Sequence, residues 1–157
     1  MSTRRRPTAA GDHLNRDAYI FLSILAGEFA SDIERVCAER ELTEGHYRVL
    51  WVLCLSGDTP VPMGTVIDGV INKASDATRL VDKLVRLGMV TRSPSPSDRR
   101  SVLVGPTALG RRTFAALTER IKAVHYEQWG SLSTEEMRTL ISLLRKARLG
   151  GNDRGES

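Results

Sequence analysis

Hydrophobic positions along the chain repeat at two periods, and each change of period marks a new element. From about Asp12 to Arg40, Leu22, Leu25, Phe29, Ile33 and Val36 recur at steps of three and four, with Glu28, Asp32, Glu34 and Arg35 between them. That spacing predicts an amphipathic helix. Thr43 reads as the N-cap of a second helix through about Leu55, with Val49, Leu50 and Leu53 turned inward. SGDTPVP is a break, because Gly57 and two prolines do not fit a helix interior. Pro62 suits the first turn of a short third helix ending near Gly69 or Val70. NKASDATRLVDKLVRLG is a fourth helix, with Ala77, Leu80, Val81 and Leu84 as its buried stripe and Gly88 as its stop.

The pattern then turns strand-like. MVTRS and SVLV form a hairpin across a Pro/Ser-rich turn, and Pro106 ends its second strand. Thr107 caps a fifth helix carrying Phe114, Leu117, Ile121 and Val124, which breaks at Gly130. Ser133 to Glu136 has capping-box spacing for a sixth helix. Its stripe is Met137, Leu140, Ile141 and Leu144, and Gly150-Gly151 is its expected stop. The order helix, helix, helix, helix, hairpin, helix, helix predicts a mainly α fold with a small β-hairpin wing. Its core is a winged helix-turn-helix at about residues 42–106. Residues 12–40 and 107–149 supply flanking helices to the same domain. Residues 1–11 read as a disordered basic arm and 150–157 as a frayed tail.

The fourth helix has the makings of a reader. Opposite its apolar stripe stand Ser75, Arg79, Asp82 and Arg86, flanked by Thr78 and Lys83, with Lys73 and Asp76 at its start. A helix enters the major groove by a slim, donor-bearing leading end, where N-terminal side chains reach base edges. Ser75 and Thr78 can donate to bases or phosphate, and Arg79 can fork onto guanine. Asp76 repels phosphate but can accept from a cytosine amino group. Asp82 also opposes DNA, though spacing allows it to pair with Arg79 or Arg86. Taken alone, this face is equally a solvated surface.

The hairpin changes that balance. Arg99 and Arg100 stand at its tip, where cations often serve only to protect an edge strand. A wing beside a reading helix, however, falls over the neighbouring minor groove, whose negative potential attracts arginine. Asp98 is close enough in sequence to brace Arg100. Helix and wing together favour double-stranded DNA as the partner.

Composition narrows the classes. Of 157 residues, 41% are hydrophobic and 27% charged, and the net charge is +4. These values suit a globular domain and permit nucleic acid without requiring it. Aromatics at 5% argue against a base-stacking platform for single strands. No apolar run approaches the roughly 18 residues of a membrane span. The arginines at positions 4–6 are not followed by the apolar segment of a secretory signal. Two cysteines, Cys37 and Cys54, form no disulfide framework, so the expected location is cytoplasmic.

The segment TRLVDKLVRLGMVTR…SDRRSVLVGPTALGRR resembles the MarR family of bacterial winged helix-turn-helix transcription regulators, whose wing carries Asp-x-Arg followed by Leu-Thr-x-x-Gly. Here those positions are Asp98, Arg100, Thr107 and Gly110. The likeness extends more loosely over about residues 14–149. Pro106 replaces the usual leucine, Asp76 stands where a small or hydroxyl residue is more common, and Ile71-Asn72 fill the helix-helix turn after Gly69. The resemblance implies a homodimer whose first, fifth and sixth helices interlock. It also implies a pseudo-palindromic operator, repression, and release by a small organic effector bound between dimer core and winged lobe. Apolar stripes at both chain ends independently permit the dimer; a monomer folding those helices onto its own module is the alternative.

His13, Tyr19 and Trp51 are candidates for an effector wall by location, although Trp51 also reads as ordinary packing. His13, His46 and His125 lie on separate segments without ligand-type partners, so neither a metal nor another cofactor is expected. Cys54, embedded in WVLCL, reads as a core cysteine, and both thiols sit late in helices where a thiolate is disfavoured. No phosphate loop or nucleophile elbow points to an enzyme. The alternative outside DNA binding is a winged-helix module that meets an acidic protein partner.

Overall fold

A computed structural model of the chain describes the backbone of residues 9–70, 74–96 and 101–152, with side chains at 13–70, 76–96 and 101–149. Its elements are α1 (Ala9–Ala38), α2 (Glu44–Leu55), β1 (Val61–Pro62), α3 (Met63–Gly69), α4 (Ala74–Arg86), β2 (Val90–Pro94), β3 (Val102–Pro106), α5 (Ala108–Trp129) and α6 (Thr134–Asn152). The fold is mainly helical with a small sheet, as the alternation of periods predicts. The chain divides into two compact units, Met1–Ile121 and Lys122–Ser157, and α5 contributes to both.

In the first unit the core gathers around α2. Val49, Leu50 and Leu53 of α2, Val66 of α3, Ala77, Val81 and Leu84 of α4, and Leu117 of α5 are buried, with Val90 and Val104 from the sheet. Each fully buried leucine or valine contributes on the order of 1.5–3 kcal/mol relative to exposure. Tyr47 of α2 stacks on Phe114 of α5 with ring centroids 5.6 Å apart. Arg111 of α5 reaches the turn after α2, donating to the Gly57 carbonyl at 2.7 Å and pairing with Asp58.

The helix ends follow local chemistry. His46 occupies the third position of α2, where its Nδ1 accepts from the Thr43 amide at 3.0 Å. Burial, and secondarily the charge of Lys83, push His46 down from 6.5 to about 4, so it stays neutral and can accept. At the end of α1 the Leu42 amide donates to the Cys37 carbonyl and the Glu41 amide to that of Ala38. Glu41 takes a left-handed φ of 57°, and Lys83 Nζ of α4 donates to its carbonyl. A lysine there offsets the negative end of the helix dipole. Gly88, at φ 68°, closes α4 in the same manner: the Met89 amide donates to Leu84 and that of Gly88 to Val85. In α6, Ser133 and Glu136 form the expected capping box.

Thr107 and Gly110 act as one device. The Thr107 amide donates to the Met89 carbonyl at 3.0 Å, and its hydroxyl donates to the Gly88 carbonyl at 2.8 Å. Thr107 Oγ1 also accepts from the Gly110 amide, capping α5. A Cβ on Gly110 would lie 2.1 Å from the Met89 carbonyl oxygen, so only glycine permits this approach.

Several expectations need correction. The SGDTPVP break contains β1, so the wing rests on a three-stranded antiparallel sheet in the order β1-β3-β2. Val61 pairs with Val104 and Pro62 with Leu103. A two-residue strand bearing a proline carries no period to detect. Helix α1 starts at Ala9, three residues before the expected start, and α6 passes through Gly150-Gly151 to Asn152. Of the α1 stripe only Val36 is buried; Leu22 is exposed, and Leu25, Phe29 and Ile33 are half-buried, because only the last turns of α1 reach α2. The core cysteine is Cys37, fully enclosed, whereas Cys54 is half-buried. Burial first, then Glu34 and Glu44, push the Cys37 thiol up to about 11; burial also raises Cys54, partly offset by Arg111.

Candidate nucleic-acid interface

The candidate surface is built from α4 and the β2–β3 stem. Packing of Ala77, Val81 and Leu84 into the core turns the other side of α4 to solvent, where Asp76, Thr78, Arg79 and Arg86 are exposed. Lys73 lies outside the described residues, and Ser75 is described only as backbone in the first turn of α4. Asp98, Arg99 and Arg100 also lie outside the described residues. The stem beneath them is described: β2 and β3 pair from Val90↔Pro106 to Pro94↔Val102, and the Ser95 amide donates to Ser101 O at 2.9 Å.

Sequence reasoning missed how the stem joins the helix. Spacing allowed Asp82 to pair with Arg79 or Arg86 within α4, but its partner is Arg92 of β2, with Nη1 2.5 Å from Oδ1. Nη2 of the same guanidinium donates to the Thr78 carbonyl at 3.4 Å. A strand residue ten positions later displaces the local partners because the fold lays β2 along α4. The same pairing answers the objection that Asp82 would repel DNA, since its charge is matched.

Two clefts border α4. One, of about 370 Å³, lies between α3, α4 and the stem, lined by Met63, Gly64, Thr78, Arg92, Ser101 and Val102. The other, of about 440 Å³, lies at the leading end of α4 and brings Asp76 and Arg79 beside Glu34, Thr43 and Glu44. Glu44 there is paired with Arg48, and the Glu34 carboxylate accepts from the Glu44 amide at 2.6 Å.

The effector candidates are dispersed. His13 and Tyr19 are exposed along α1, and Trp51 of α2 is 44% exposed. In the second unit, the end of α5 and start of α6 form a groove of about 590 Å³ whose lining includes Tyr126, Trp129, Leu132 and Met137. Sequence pattern gave no sign of that groove. Among the described residues no cluster of three or more His, Cys, Asp or Glu could hold a metal. Among them, too, no helix is long and apolar enough to cross a membrane.

A family model described as the MarR family matches residues 72–102, a span that includes α4 and β2 and ends at the start of β3. The multiple antibiotic resistance protein MarR of Escherichia coli is 33% identical over 112 residues, covering 68% of this chain and 73% of its own length. A crystal structure of a mutant MarR from E. coli complexed with operator DNA superposes at a TM-score of 0.69, with 23% identity over 81% of this chain and 90% of that one. A MarR-like transcription regulator from Bacillus cereus superposes at 0.78, with 23% identity over 88% of this chain and 98% of that one. BpsR of Bordetella bronchiseptica, whose DNA binding is regulated by 6-hydroxynicotinic acid, superposes at 0.75, with 20% identity over 84% and 98%.

Proposed function

The chain belongs to the MarR family of winged helix-turn-helix transcription regulators, and from that premise we propose that it is a homodimeric repressor of a pseudo-palindromic operator, released by a small organic ligand. Membership in a family of transcription regulators sets it apart from enzymes. The observation that carries the DNA reading is the direct junction of an exposed helix tip with a hairpin stem. The side chains of Thr78 and Arg79 are exposed on α4, and Arg92 joins that helix to β2.

In this reading Lys73, Ser75, Asp76, Thr78 and Arg79 meet the major groove. Arg99 and Arg100 meet the adjacent minor groove, with Asp98 bracing Arg100. The complex of the E. coli relative with operator DNA supports duplex DNA as the ligand. The dimer draws support from apolar surface left open in the single chain: Leu14 and Phe21 of α1 are each 71% exposed, and Leu143 and Leu149 of α6 are exposed as well. Surfaces of that kind mark association sites. The effect of 6-hydroxynicotinic acid on BpsR supports a small organic effector, for which His13, Tyr19 and Trp51 are the candidate wall.

Competition and salt test the reading together. Neutralising about 6–10 phosphates makes affinity fall roughly a thousandfold or more between about 50 and 200 mM salt. Binding to a labelled operator duplex is expected to show that slope, and unlabelled nonspecific duplex is expected to compete weakly. Arg100→Ala is expected to weaken binding while leaving the dimer intact. A chain that ignores duplexes but retains an acidic protein against excess DNA would instead be an interaction module.

A further inference from the structure

The Arg92 link has a consequence for how the wing is aimed. In β2 alternate residues share a face, and Arg92 faces the same way as buried Val90, opposite Val104 in the register. Its side chain leaves the core beside α4, where Thr78 and Asp82, four residues apart, lie one above the other. One guanidinium therefore spans two successive turns of α4, through the Asp82 carboxylate and the Thr78 carbonyl. The Arg92 and Asp82 side chains are 31% and 45% exposed. At that exposure an ion pair adds little to global stability, so its contribution lies in geometry.

We propose that Arg92 and Asp82 form a positioning pair that fixes the angle between α4 and the wing stem, and thereby aligns wing and helix with adjoining grooves of one duplex. Neither residue needs to touch DNA for this. The proposal rests on the DNA-binding reading, and it makes a claim of opposite sign to simple electrostatics. Asp82 is an anion on the face turned to DNA, so as a bare charge its removal would tighten binding. As half of a brace, its removal loosens binding.

The test is a double-mutant cycle on operator affinity using the full chain: Asp82→Asn, Arg92→Ala, and both together. The expected result is a loss of roughly tenfold for each single variant, within the range of coupling between contacting residues, and no further loss in the double variant. Thermal midpoints are expected to stay near that of the wild type. Minor-groove protection flanking the site is expected to fade, while guanine N7 protection in the major groove persists. Arg92→Lys keeps the cation but cannot span both acceptors; it is expected to bind between wild type and Arg92→Ala, and it replaces Arg92→Ala in the cycle should that variant fail to fold. Asp82→Asn binding as tightly as wild type, or more tightly, would overturn the brace, as would losses that multiply in the double variant. A wild-type chain that binds no duplex at all would overturn the regulator reading and the brace with it. A tight Asp82→Asn variant would overturn the brace alone.

Discussion

Gly110 and His46 show how single residues govern the module. The Met89 carbonyl leaves no room for a Cβ at position 110, so Gly110→Ala must push α5 away from the turn that ends α4. Overpacking of this kind typically costs about 1–3 kcal/mol, and a chemical denaturation midpoint that falls accordingly would verify it. His46 binds its proton near 6.5 in the unfolded chain but only near 4 when folded. Its contribution is therefore complete above pH 6.5 and drains away as pH falls toward 4, by up to roughly 3 kcal/mol. His46→Gln keeps an acceptor for the Thr43 amide and removes the proton site, so its stability is expected to lose this dependence between pH 6.5 and 4. Both sites were partly legible. Thr43 and Thr107 announce themselves as caps because short hydroxyl side chains before an apolar run have few other uses. That His46 would complete the first cap was hidden, since the usual partner there is Glu or Gln. Cys54 looked like the core thiol because its immediate neighbours are apolar, yet burial depends on which helix face meets the core, and that face belongs to Leu50 and Leu53.

Among elements, α4 was the most readable, because Ala77, Val81 and Leu84 of its expected stripe are buried, Leu80 being half-buried at the cleft, and its Gly88 stop follows local rules that packing reinforces. The β2–β3 hairpin was readable for the same reason. What local rules do not contain is contact between elements. Asp82 had two plausible partners within α4, and the true one, Arg92, becomes available only when β2 lies alongside. Strand β1 escaped detection because two residues give no alternation, and it exists only because β3 offers it a partner. If Arg79 is bidentate to a guanine, Arg79→Ala is expected to cost about 1–3 kcal/mol at the matched operator and to relax preference at one base pair in each half-site. Affinities measured over a set of single-base operator variants check it; an equal loss on every variant would reassign Arg79 to phosphate.

For the whole molecule, the apolar faces at the two ends of the chain are what a single copy leaves unfinished. The 3.6-residue period of α1 was plain in the sequence, but period does not say whether a stripe meets its own chain or another. In the structure Phe21 and Leu14 remain open to solvent, which favours a partner copy. The chain is expected to sediment at twice its 17.4 kDa mass, and Phe21→Glu is expected to shift it toward monomer and to lower operator affinity, since two linked reading heads bind more tightly than one. In the proposed complex one helix tip and one wing per subunit read adjoining grooves of duplex DNA. Selection of binding sites from a pool of random duplexes by the purified protein decides whether they do. The expected product is a two-fold repeat with half-sites about one helical turn apart. A pool that emerges without any enriched duplex would contradict it.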